Sequence, residues 1–514
     1  MPALKEEYPW FKIKGYCHIG KPIRIKDFSW VKNYVENKEN IARHAFLPFI
    51  FKQLKKRKYR PEKDSWGKRS HKRIAGKPKV RDIYYASHLD AQIYSFYAHK
   101  LKENYQTWLQ DHKLDSCVTA YRSIPLTSKS KKNTAHFAKD VFDQIRSFSS
   151  DDFRVIAIDI SAFFDSLNHR NLKRKWASIL CEKSLPPDHY NLFKSLTRIS
   201  FVNEIQIFNE FKNEIWVQDK QGKLRKKKIS RRKYLFDNNA VAFCEKKEFH
   251  KRILSKGLVH KKTKENFGKP CERNIIAGIP QGTPISALLA NIYMMDFDLS
   301  IMRYCETIGG VYRRYSDDMI FICKKEDEEA LMKHIKTAIE IECLQIQDKK
   351  TQRFRFLRDK EKLRCEEWMP KASVWNPNKN LLYLGFDFDG ERVLIKDASI
   401  SNYYRKMKRT VRRSARFALF GKNSETNIFK RRLYKRFSHL GANRRMIHIR
   451  DKNNPRKWVK TNRYDWGNYL SYVFMSSDTI GDVHIKMQTR KFHNKLSELI
   501  EKHEKRIESY KQKD

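Results

Sequence analysis

Two adjacent carboxylates, Asp317 and Asp318, lie between two short β-prone segments, 311–314 and 319–322. Such flanks predict two strands joined by a tight turn that carries both acids. Neighbouring carboxylates repel one another unless a divalent cation neutralises them. An acidic pair is also common in turns that are merely solvated. The pair therefore indicates a metal site only if other acids and suitable elements accompany it.

Two other segments have the features that such a site needs. Residues 155–158 form an apolar run that predicts a buried strand, and Asp159 follows at its end. An acid in this position is also typical of a helix N-cap. Residues 278–284 contain two Gly and two Pro and lead into an apolar helical pattern. Glycine in such a loop lets a backbone or a ligand approach closely.

In this order, the three segments resemble motifs A, B and C of the reverse transcriptases of bacterial retroelements, the superfamily of the group II intron and retron enzymes. Residues 349–351 resemble motif D, 382–386 resemble motif E, the primer grip, and 77–81 resemble the fingers segment. The matching motifs span residues 74–386. Beyond residue 386 the resemblance is loose.

The resemblance implies an α+β right-hand polymerase with fingers, a palm that contains an antiparallel sheet, a helical thumb and a helical C-terminal extension. Residues 1–150 are expected to be largely helical. The motif positions predict five segments: 1–150 for the fingers and N-terminal region, 151–200 for the first palm segment, 201–275 for a basic insertion, 276–390 for the second palm segment, and 391–514 for the helical thumb and C-terminal extension.

For the reaction, the resemblance implies two-metal phosphoryl transfer by an RNA-directed DNA polymerase, a nucleotidyltransferase. Asp159, Asp317 and Asp318 are the expected ligands of two Mg²⁺ ions, with Mn²⁺ as the alternative metal. The backbone carbonyl of Ile160 is an expected further ligand. Lys350 is the expected proton donor to the departing pyrophosphate, and Lys349 competes for that role.

The resemblance also assigns residues to the incoming nucleotide and the primer. Phe164, five residues after Asp159, matches the bulky residue that excludes a 2′-hydroxyl, and it predicts use of dNTPs; the alternative is an ordinary core aromatic. The remaining expected contacts are Lys77, Lys79 and Arg81 with the triphosphate, Gln281 and Gly282 with the templating base and nucleotide, and Leu384 and Gly385 with the primer.

Composition agrees with a nucleic-acid partner. The chain has 109 Lys and Arg against 59 Asp and Glu, a formal net charge of +50. Such an excess is the expected electrostatic footprint of a protein that follows phosphates, and 13% aromatic residues supply faces for base stacking. Three separated basic runs, 55–58, 225–233 and 405–413, favour a long bound polyanion over a solvated surface.

The segment 201–275 is longer than the resemblance requires, because 122 residues separate Asp159 from Gln281. It is basic and partly β-prone. The sequence leaves two interpretations open, a contact with RNA or another subunit and a surface hairpin without a function.

Other features exclude some classes of protein. Nine cysteines occur without a C-x-x-C pair, so neither a disulfide framework nor a structural zinc site is indicated. No secretion signal and no apolar stretch long enough for a membrane span is recognisable. We therefore expect a cytoplasmic protein without a membrane partner.

Departures from the family pattern narrow the subtype. The Val-Thr-Gly and Asn-Ala-x-x-His elements of retron enzymes and the nuclease domain of many intron proteins are not found. What remains resembles the defence-associated and abortive-infection enzymes, which implies antiphage function with a noncoding RNA as template or partner, a DNA product and, in some members, homo-oligomers, protein priming or untemplated synthesis. Tyr469, Tyr472 and Tyr510 are candidate priming residues. The alternatives are a retron-like or intron-maturase enzyme and a noncatalytic RNA-binding scaffold.

Overall fold

The computed structural model describes residues 7–512 except for several short gaps. The residues outside the description are 1–6, 58, 64–68, 128–129, 220, 263–276, 361, 422–426, 444–445, 452–453, 455, 466 and 513–514. Lys58 of the first basic run and residues 263–275 of the predicted insertion therefore lie outside the described residues.

The α-helices of the described residues are numbered in chain order. They are α1 (Phe28–Glu36), α2 (Lys38–Ala42), α3 (His88–Asp111), α4 (Thr134–Arg146), α5 (Phe163–Ser166), α6 (His169–Ile179), α7 (Pro187–Thr197), α8 (Glu204–Phe211), α9 (Lys246–Phe249), α10 (Ser286–Tyr293), α11 (Met295–Thr307), α12 (Glu328–Ile341), α13 (Asp397–Phe420), α14 (Lys430–Phe437), α15 (Tyr469–Ile480), α16 (His484–Met487) and α17 (Phe492–Lys511). Short 3₁₀ segments occupy Ile25–Asp27, Arg232–Tyr234, Asp348–Lys350 and His439–Gly441, and a π-helical turn occupies His250–Leu254.

The β-strands are numbered in the same way. They are β1 (His18–Ile19), β2 (Phe49–Lys56), β3 (Tyr59–Lys63), β4 (Arg69–Ala75), β5 (Lys79–Tyr85), β6 (Pro125–Thr127), β7 (Ser130–Lys131), β8 (Asp152–Asp159), β9 (Ser200–Asn203), β10 (Ile215–Gln218), β11 (Leu224–Lys227), β12 (Ala240–Cys244), β13 (His260–Lys261), β14 (Val311–Tyr315), β15 (Asp318–Lys324), β16 (Gln352–Asp359), β17 (Lys362–Met369), β18 (Val374–Asn376), β19 (Leu381–Tyr383), β20 (Phe386–Phe388), β21 (Val393–Ile395), β22 (Met446–Arg450) and β23 (Trp458–Tyr464).

The chain divides into two compact units, and the first comprises residues 1–121, 158–320 and 329–351. It contains two four-stranded sheets with the strand orders β1-β12-β10-β11 and β13-β9-β2-β5. It also contains β14, the start of β15 and the end of β8. Of these three, β15 lies between β14 and β8. Helix α10 is buried along most of its length, which explains why its apolar residues extend around the helix instead of along one stripe.

The second unit comprises residues 122–157, 321–328 and 352–514. Its largest sheet has the order β15-β8-β16-β17-β18, and β16 pairs antiparallel with both β8 and β17. Helix α13 buries Met407, Val411, Ala415 and Ala418 on one face, and Gly421 follows its last residue as the C-cap, as the sequence predicts. Strands β22 and β23 form an isolated antiparallel hairpin between α14 and α15.

Several predictions about the elements are confirmed, and others are wrong. The mixture of helices with largely antiparallel sheets agrees with the predicted α+β class, whereas the finer right-hand description stays a prediction. The expectation that residues 1–150 are largely helical is wrong because β2 to β5 lie there. The expectation that 391–514 is helical is wrong for β21 (Val393–Ile395) and for Met446–Arg450 and Trp458–Tyr464, the strands of the β22–β23 hairpin.

The described part of the predicted insertion is more than a surface hairpin. Its residues form β9 to β13 with α8 and α9, and they share a core that includes Phe211, Ile215, Val217 and Phe243, all buried. Among the described helices, none combines the length and the apolar character that crossing a membrane requires.

Candidate active site

Asp159, at the end of β8, lies beside residues 345–347, which belong to the last chain segment of the first unit. Two backbone hydrogen bonds, of 2.8 and 2.9 Å, join Asp159 and Ser161 to residues 345–347. They flank an antiparallel bridge between Ile160 and Ile346. Because the backbone groups of successive strand residues point to opposite sides, the carbonyl of Ile160 points away from Ile346, toward the side on which β15 lies.

The same pairing brings Lys350 to Asp159. The amide of Lys350 donates to the carbonyl of Gln347 at 2.8 Å, which forms the 3₁₀ turn of 348–350. The Lys350 ammonium then lies 2.5 Å from Oδ2 of Asp159, while its side chain remains 52% exposed. No contact with Asp159 is found for the neighbouring Lys349 within the described residues. Which of the two lysines gives a proton to pyrophosphate stays a prediction.

The acidic turn is formed as the sequence predicts. Strand β14 ends at Tyr315 and β15 begins at Asp318, so Asp317 lies in the turn and Asp318 at its far side. Ser316 has a φ of +62°, a conformation that is uncommon for a residue with a side chain. The Ser316 hydroxyl donates to the Tyr121 hydroxyl at 3.2 Å. This hydrogen bond and the burial of Ser316 hold the turn in place.

A buried arginine that belongs to none of the sequence motifs supports this turn. Arg314 is fully buried, and its guanidinium donates to both carboxylate oxygens of Asp298, at 2.7 and 2.5 Å. It also donates to Asn291 Oδ1 at 3.0 Å and to the Ser316 carbonyl at 3.2 Å. Burial favours the neutral guanidine, yet the charge and hydrogen bonds of Asp298 raise the pKa of Arg314 above its usual value.

These contacts tie three elements to the turn. Asp298 belongs to α11, and Asn291 belongs to α10, which follows the Gly/Pro loop. The amide group of Asn291 donates in turn to the carbonyl of Ala120 at 2.9 Å, one residue before Tyr121. The position of the acidic turn is therefore determined by buried polar groups, because a charge left unpaired in such an interior is costly.

The Gly/Pro loop packs backbone to backbone against β5. The amide of Tyr84 donates to the carbonyl of Gln281 at 2.8 Å. Gly282 has a φ of +121°, and a Cβ placed there would lie 2.7 Å from the Tyr84 carbonyl oxygen. Only glycine permits both this conformation and this approach, which explains the residue type at position 282.

The loop also contacts the turn that follows β8. The amide of Ile279 donates to the carbonyl of Phe164 at 2.8 Å, and that of Gly278 donates to the carbonyl of Leu167 at 2.7 Å. The Phe164 ring is half-buried, whereas Phe163 is only 4% exposed. Of the two adjacent rings, Phe163 is therefore the core aromatic, and Phe164 keeps a surface that a ligand can contact.

The three predicted phosphate ligands lie on one strand or just before it. Lys77, Lys79 and Arg81 are all exposed. Lys79, Arg81 and Ile83 lie at every second position of β5. The side chains of these three residues therefore share one face of the strand. A Cβ placed on Gly282 would lie 3.0 Å from the Ile83 side chain. The face of β5 that carries Lys79 and Arg81 is therefore continuous with the Gly/Pro loop.

Leu384 and Gly385 belong to the second unit. They form the two-residue loop between β19 and β20, with φ angles of +45° and +94°. Positive φ at both central residues is the requirement of the type I′ hairpin turn. Their predicted primer-grip role stays a prediction.

The residues that are expected to hold Mg²⁺ have the donor chemistry that this ion prefers, namely carboxylate and carbonyl oxygens. Within the described part of the chain, however, no group of three or more His, Cys, Asp or Glu side chains is gathered closely enough to hold an ion. The Asp159 carboxylate is paired with the Lys350 ammonium instead. The donors thus fit the metal in their chemistry, and their role as metal ligands stays a prediction.

Comparison with known families identifies this region of the chain. Residues 234–388 match the family described as reverse transcriptase (RNA-dependent DNA polymerase). The chain carries a reverse transcriptase domain. The matched residues include Gln281, Gly282, the acidic turn and Lys350, whereas Asp159 and the basic face of β5 precede them.

The solved structures to which the chain is similar include two telomerases. Apo telomerase from Candida tropicalis, truncated from its C-terminal domain, has a TM-score of 0.37 and 11% identity, over 72% of this chain and 59% of that chain. Telomerase from Candida albicans, in complex with a TWJ fragment of telomeric RNA, has a TM-score of 0.34 and 10% identity, over 75% of this chain and 54% of that chain. The chain thus spans less than two thirds of either telomerase. The curated proteins include no match.

Proposed function

We propose that the protein is an RNA-directed DNA polymerase that adds dNTPs to a growing DNA strand on an RNA template. The observation that carries this proposal is the reverse transcriptase domain at 234–388, whose acidic turn with Asp317 and Asp318 adjoins the strand that ends in Asp159. A net charge of +50 suits a template and product that are both polyanions.

The proposed roles are those that the resemblance to reverse transcriptases implies, and the positions of the side chains support them. Asp159, Asp317 and Asp318, with the Ile160 carbonyl, would hold Mg²⁺. When bound, this metal supplies a Lewis acid that stabilises negative charge on the attacking and leaving oxygens. The exposed cations on β5 bind the triphosphate, because Lys and Arg donate charge-assisted hydrogen bonds to phosphate oxygens.

Two further residues act on the substrate itself. The exposed part of the Phe164 ring packs against the sugar and leaves no room for a 2′-hydroxyl. Once Lys350 leaves Asp159, its ammonium is free to give a proton to the departing pyrophosphate. Leu384 and Gly385 contact the primer strand in this proposal.

For the biological role, we propose antiphage defence in the cytoplasm with a noncoding RNA as template or partner. The support is the resemblance to defence-associated reverse transcriptases and the C-terminal region of helices α13 to α17, in which no motif of an accessory nuclease is recognisable. Homo-oligomers and protein priming belong to the same proposal. Of the candidate priming residues, Tyr510 is 51% exposed, whereas the hydroxyl of Tyr469 is buried, so Tyr510 is the more accessible donor.

The test is to purify the protein with its bound nucleic acid, sequence that RNA, and follow incorporation of labelled dNTPs in the presence of Mg²⁺. The variant Asp317→Asn/Asp318→Asn keeps the shape of the turn and removes its charge. Asp111→Asn, an exposed acid at the end of α3, is the matched control. Products complementary to the copurified RNA, made by the wild type and the control but not by the double variant, are the expected result.

Other outcomes separate the alternatives. Products of one nucleotide without a complementary template would replace templated synthesis by untemplated synthesis. A copurified RNA derived from an intron or a retron-type element would assign the enzyme to a mobile element. A folded wild type that incorporates no dNTP, with a cellular phenotype that survives the double substitution, would establish the noncatalytic RNA-binding scaffold. The Lys350–Asp159 ion pair, which neutralises a predicted metal ligand, is the observation that favours this last candidate.

A further inference from the structure

The described part of the insertion, 201–262 without residue 220, is a folded platform. Strand β12 pairs parallel with β1 and antiparallel with β10, and β10 pairs antiparallel with β11. Phe208, Phe211 and Phe249 are buried in the core beneath these strands. The insertion shares its sheet and its core with β1 (His18–Ile19), so its surface residues are held in fixed positions. The pattern of those residues can therefore be used to infer what they contact.

One side of this platform is densely cationic. Between 223 and 233 the sequence has eight Lys and Arg and no acid. Two of the eight are paired: Lys226 lies 3.0 Å from both Glu214 and Glu248, and Arg232 lies 2.7 Å from Glu204. For the other six, no ion pair is found among the described residues. These are Lys223, Arg225, Lys227, Lys228, Arg231 and Lys233, which we call the β11 cation patch.

Cations on an edge strand can serve only to prevent aggregation. For several members of the patch, their positions outside the strand exclude this explanation. Strand β11 is the last strand of its sheet, and Lys or Arg on such a strand prevents edge-to-edge aggregation. That requirement accounts for Arg225 and Lys227, which lie within β11. It does not account for Lys228, Arg231 and Lys233, which follow the strand and are exposed.

Exposed aromatic rings adjoin the same patch. Phe236 is 88% exposed, and Tyr234 is 38% exposed at the end of the 3₁₀ turn. The Lys233 ammonium lies 4.8 Å from the centre of the Tyr234 ring. Exposure of a phenylalanine ring to water is unfavourable. A ring beside several cations suits a ligand that has both phosphates and unstacked bases.

We propose that the β11 cation patch, with Tyr234 and Phe236, binds a single-stranded segment of RNA outside the predicted catalytic residues. The cations contact the phosphates, and Phe236 stacks on a base. Single-stranded DNA has the same two features, and RNA is the expected ligand because the inference rests on the proposed function, which supplies an RNA template. A protein partner would have to provide several acids and would leave the exposed ring without a specific role.

The experiment measures binding of a labelled oligouridylate to the full chain without dNTPs, at several salt concentrations. Arg225→Gln/Lys228→Gln/Arg231→Gln removes three charges. We expect the slope of log affinity against log salt to fall by about 2, since each phosphate contact on a single strand contributes about 0.7. Phe236→Ala is expected to weaken binding by at least about fivefold through lost stacking, with the slope unchanged.

Matched controls come from exposed residues of α11 and α12. Arg303→Gln/Lys333→Gln/Lys336→Gln removes three exposed charges, and Ile341→Ala removes an apolar side chain that is 70% exposed. All variants are checked for an unchanged melting temperature. The assay is repeated with oligothymidylate to distinguish RNA from DNA, and dNTP incorporation on a short primed homopolymer is measured separately.

The expected result is weaker RNA binding in the patch variants only, with incorporation on the short primed template retained. Because binding is measured without catalysis, a chain that incorporates no dNTP would refute the proposed function while leaving this test valid. An unchanged affinity and salt slope would overturn the inference, as would equal losses in the controls or a loss confined to DNA. Unchanged RNA binding together with a smaller oligomer in the patch variants would replace it with a contact between copies of the chain.

Discussion

The Lys350 ammonium lies 2.5 Å from the Asp159 carboxylate, so the two residues predicted to act in proton transfer and metal binding are paired with each other. Asp159 is 19% exposed and Lys350 is 52% exposed. Such a pair is only weakly stabilising, because water screens the charges and the long lysine side chain must be ordered. If Asp159 binds a divalent ion, as we propose, displacement of the ammonium would therefore cost little stability.

The first prediction concerns this exchange. Lys350→Gln should lower dNTP incorporation at saturating Mg²⁺ by about 100-fold, because the proton donor to pyrophosphate is lost. The same substitution should lower the Mg²⁺ concentration that gives half-maximal activity, since an ammonium no longer competes for Asp159. Both quantities come from one Mg²⁺ titration of the incorporation rate.

Lys349→Gln is the matched control, because Lys349 is exposed and adjacent. It should change neither quantity. A loss of activity that is equal in the two variants, or an unchanged Mg²⁺ requirement in Lys350→Gln, would contradict the exchange.

The buried ion pair beneath the acidic turn gives a second prediction. Asp298→Asn leaves the fully buried Arg314 without its counter-charge and should lower the free energy of unfolding by about 3 kcal/mol or more. In Asp298→Leu/Arg314→Met the charge is gone, and most of the stability should return. Incorporation should stay low in the double variant, because the Ser316 carbonyl has lost the guanidinium that contacts it at 3.2 Å.

The measurements are the urea midpoint of unfolding and the rate of dNTP incorporation for each variant. Recovery of both stability and activity in the double variant would show that Arg314 serves only the fold. If Asp298→Asn were as stable as the wild type, the ion pair would not support the turn at all.

Local patterns predicted the elements around the turn but not the groups that support it. The short β-prone segments correctly predicted the strands on both sides of Asp317; β14 buries alternate residues, whereas β15 buries the successive residues Met319 to Cys323. Arginine is mostly a surface residue, and Arg314 is one of 109 Lys and Arg in the chain. The usable signal was its position two residues after Tyr312, which is also buried, since residues two apart share one face of a strand. Its partner Asp298 is sixteen positions away, and no local pattern indicates such a pairing.

The same reasoning explains the two errors about secondary structure. The hairpin of β22 and β23 has exposed residues on both faces. It therefore lacks the alternation of apolar and polar residues that predicts a half-buried strand. In the pairing of β2 with β5, Ile50 lies opposite Tyr85, a separation that no local window spans. The core of the insertion likewise depends on β1, whose residues His18 and Ile19 are distant from it in sequence.

The third prediction distinguishes the adjacent rings Phe163 and Phe164. Phe164→Ala should raise incorporation of NTPs relative to dNTPs by about tenfold or more, because a 2′-hydroxyl then meets open space. Phe163→Ala, which empties a buried position, should lower the free energy of unfolding by about 3 kcal/mol without changing that ratio. Competition between labelled NTP and dNTP measures the ratio. An unchanged ratio in Phe164→Ala would remove the predicted sugar contact.

The last prediction concerns the dependence of stability on pH. The amide of Ile19 donates to Nδ1 of His18 at 2.7 Å, and Nε2 lies 3.0 Å from the Tyr85 carbonyl. Nε2 therefore carries the proton, and a second proton on Nδ1 would face an N–H donor. Burial, with a smaller contribution from the nearby His88, lowers the pKa of His18 from 6.5 to about 3. Burial also lowers the pKa of His189 to about 4.

Between pH 6.5 and about 3 the unfolded chain thus holds a proton at His18 that the folded chain does not. The free energy of unfolding should fall as the pH is lowered through this range, by at most about 1.4 kcal/mol per pH unit for each such histidine. Urea midpoints at a series of pH values measure the slope. His18→Gln should reduce it by about one proton, and His99→Gln, whose side chain is 37% exposed, controls for the substitution. A slope that is the same in His18→Gln and the wild type would contradict the assigned protonation of His18.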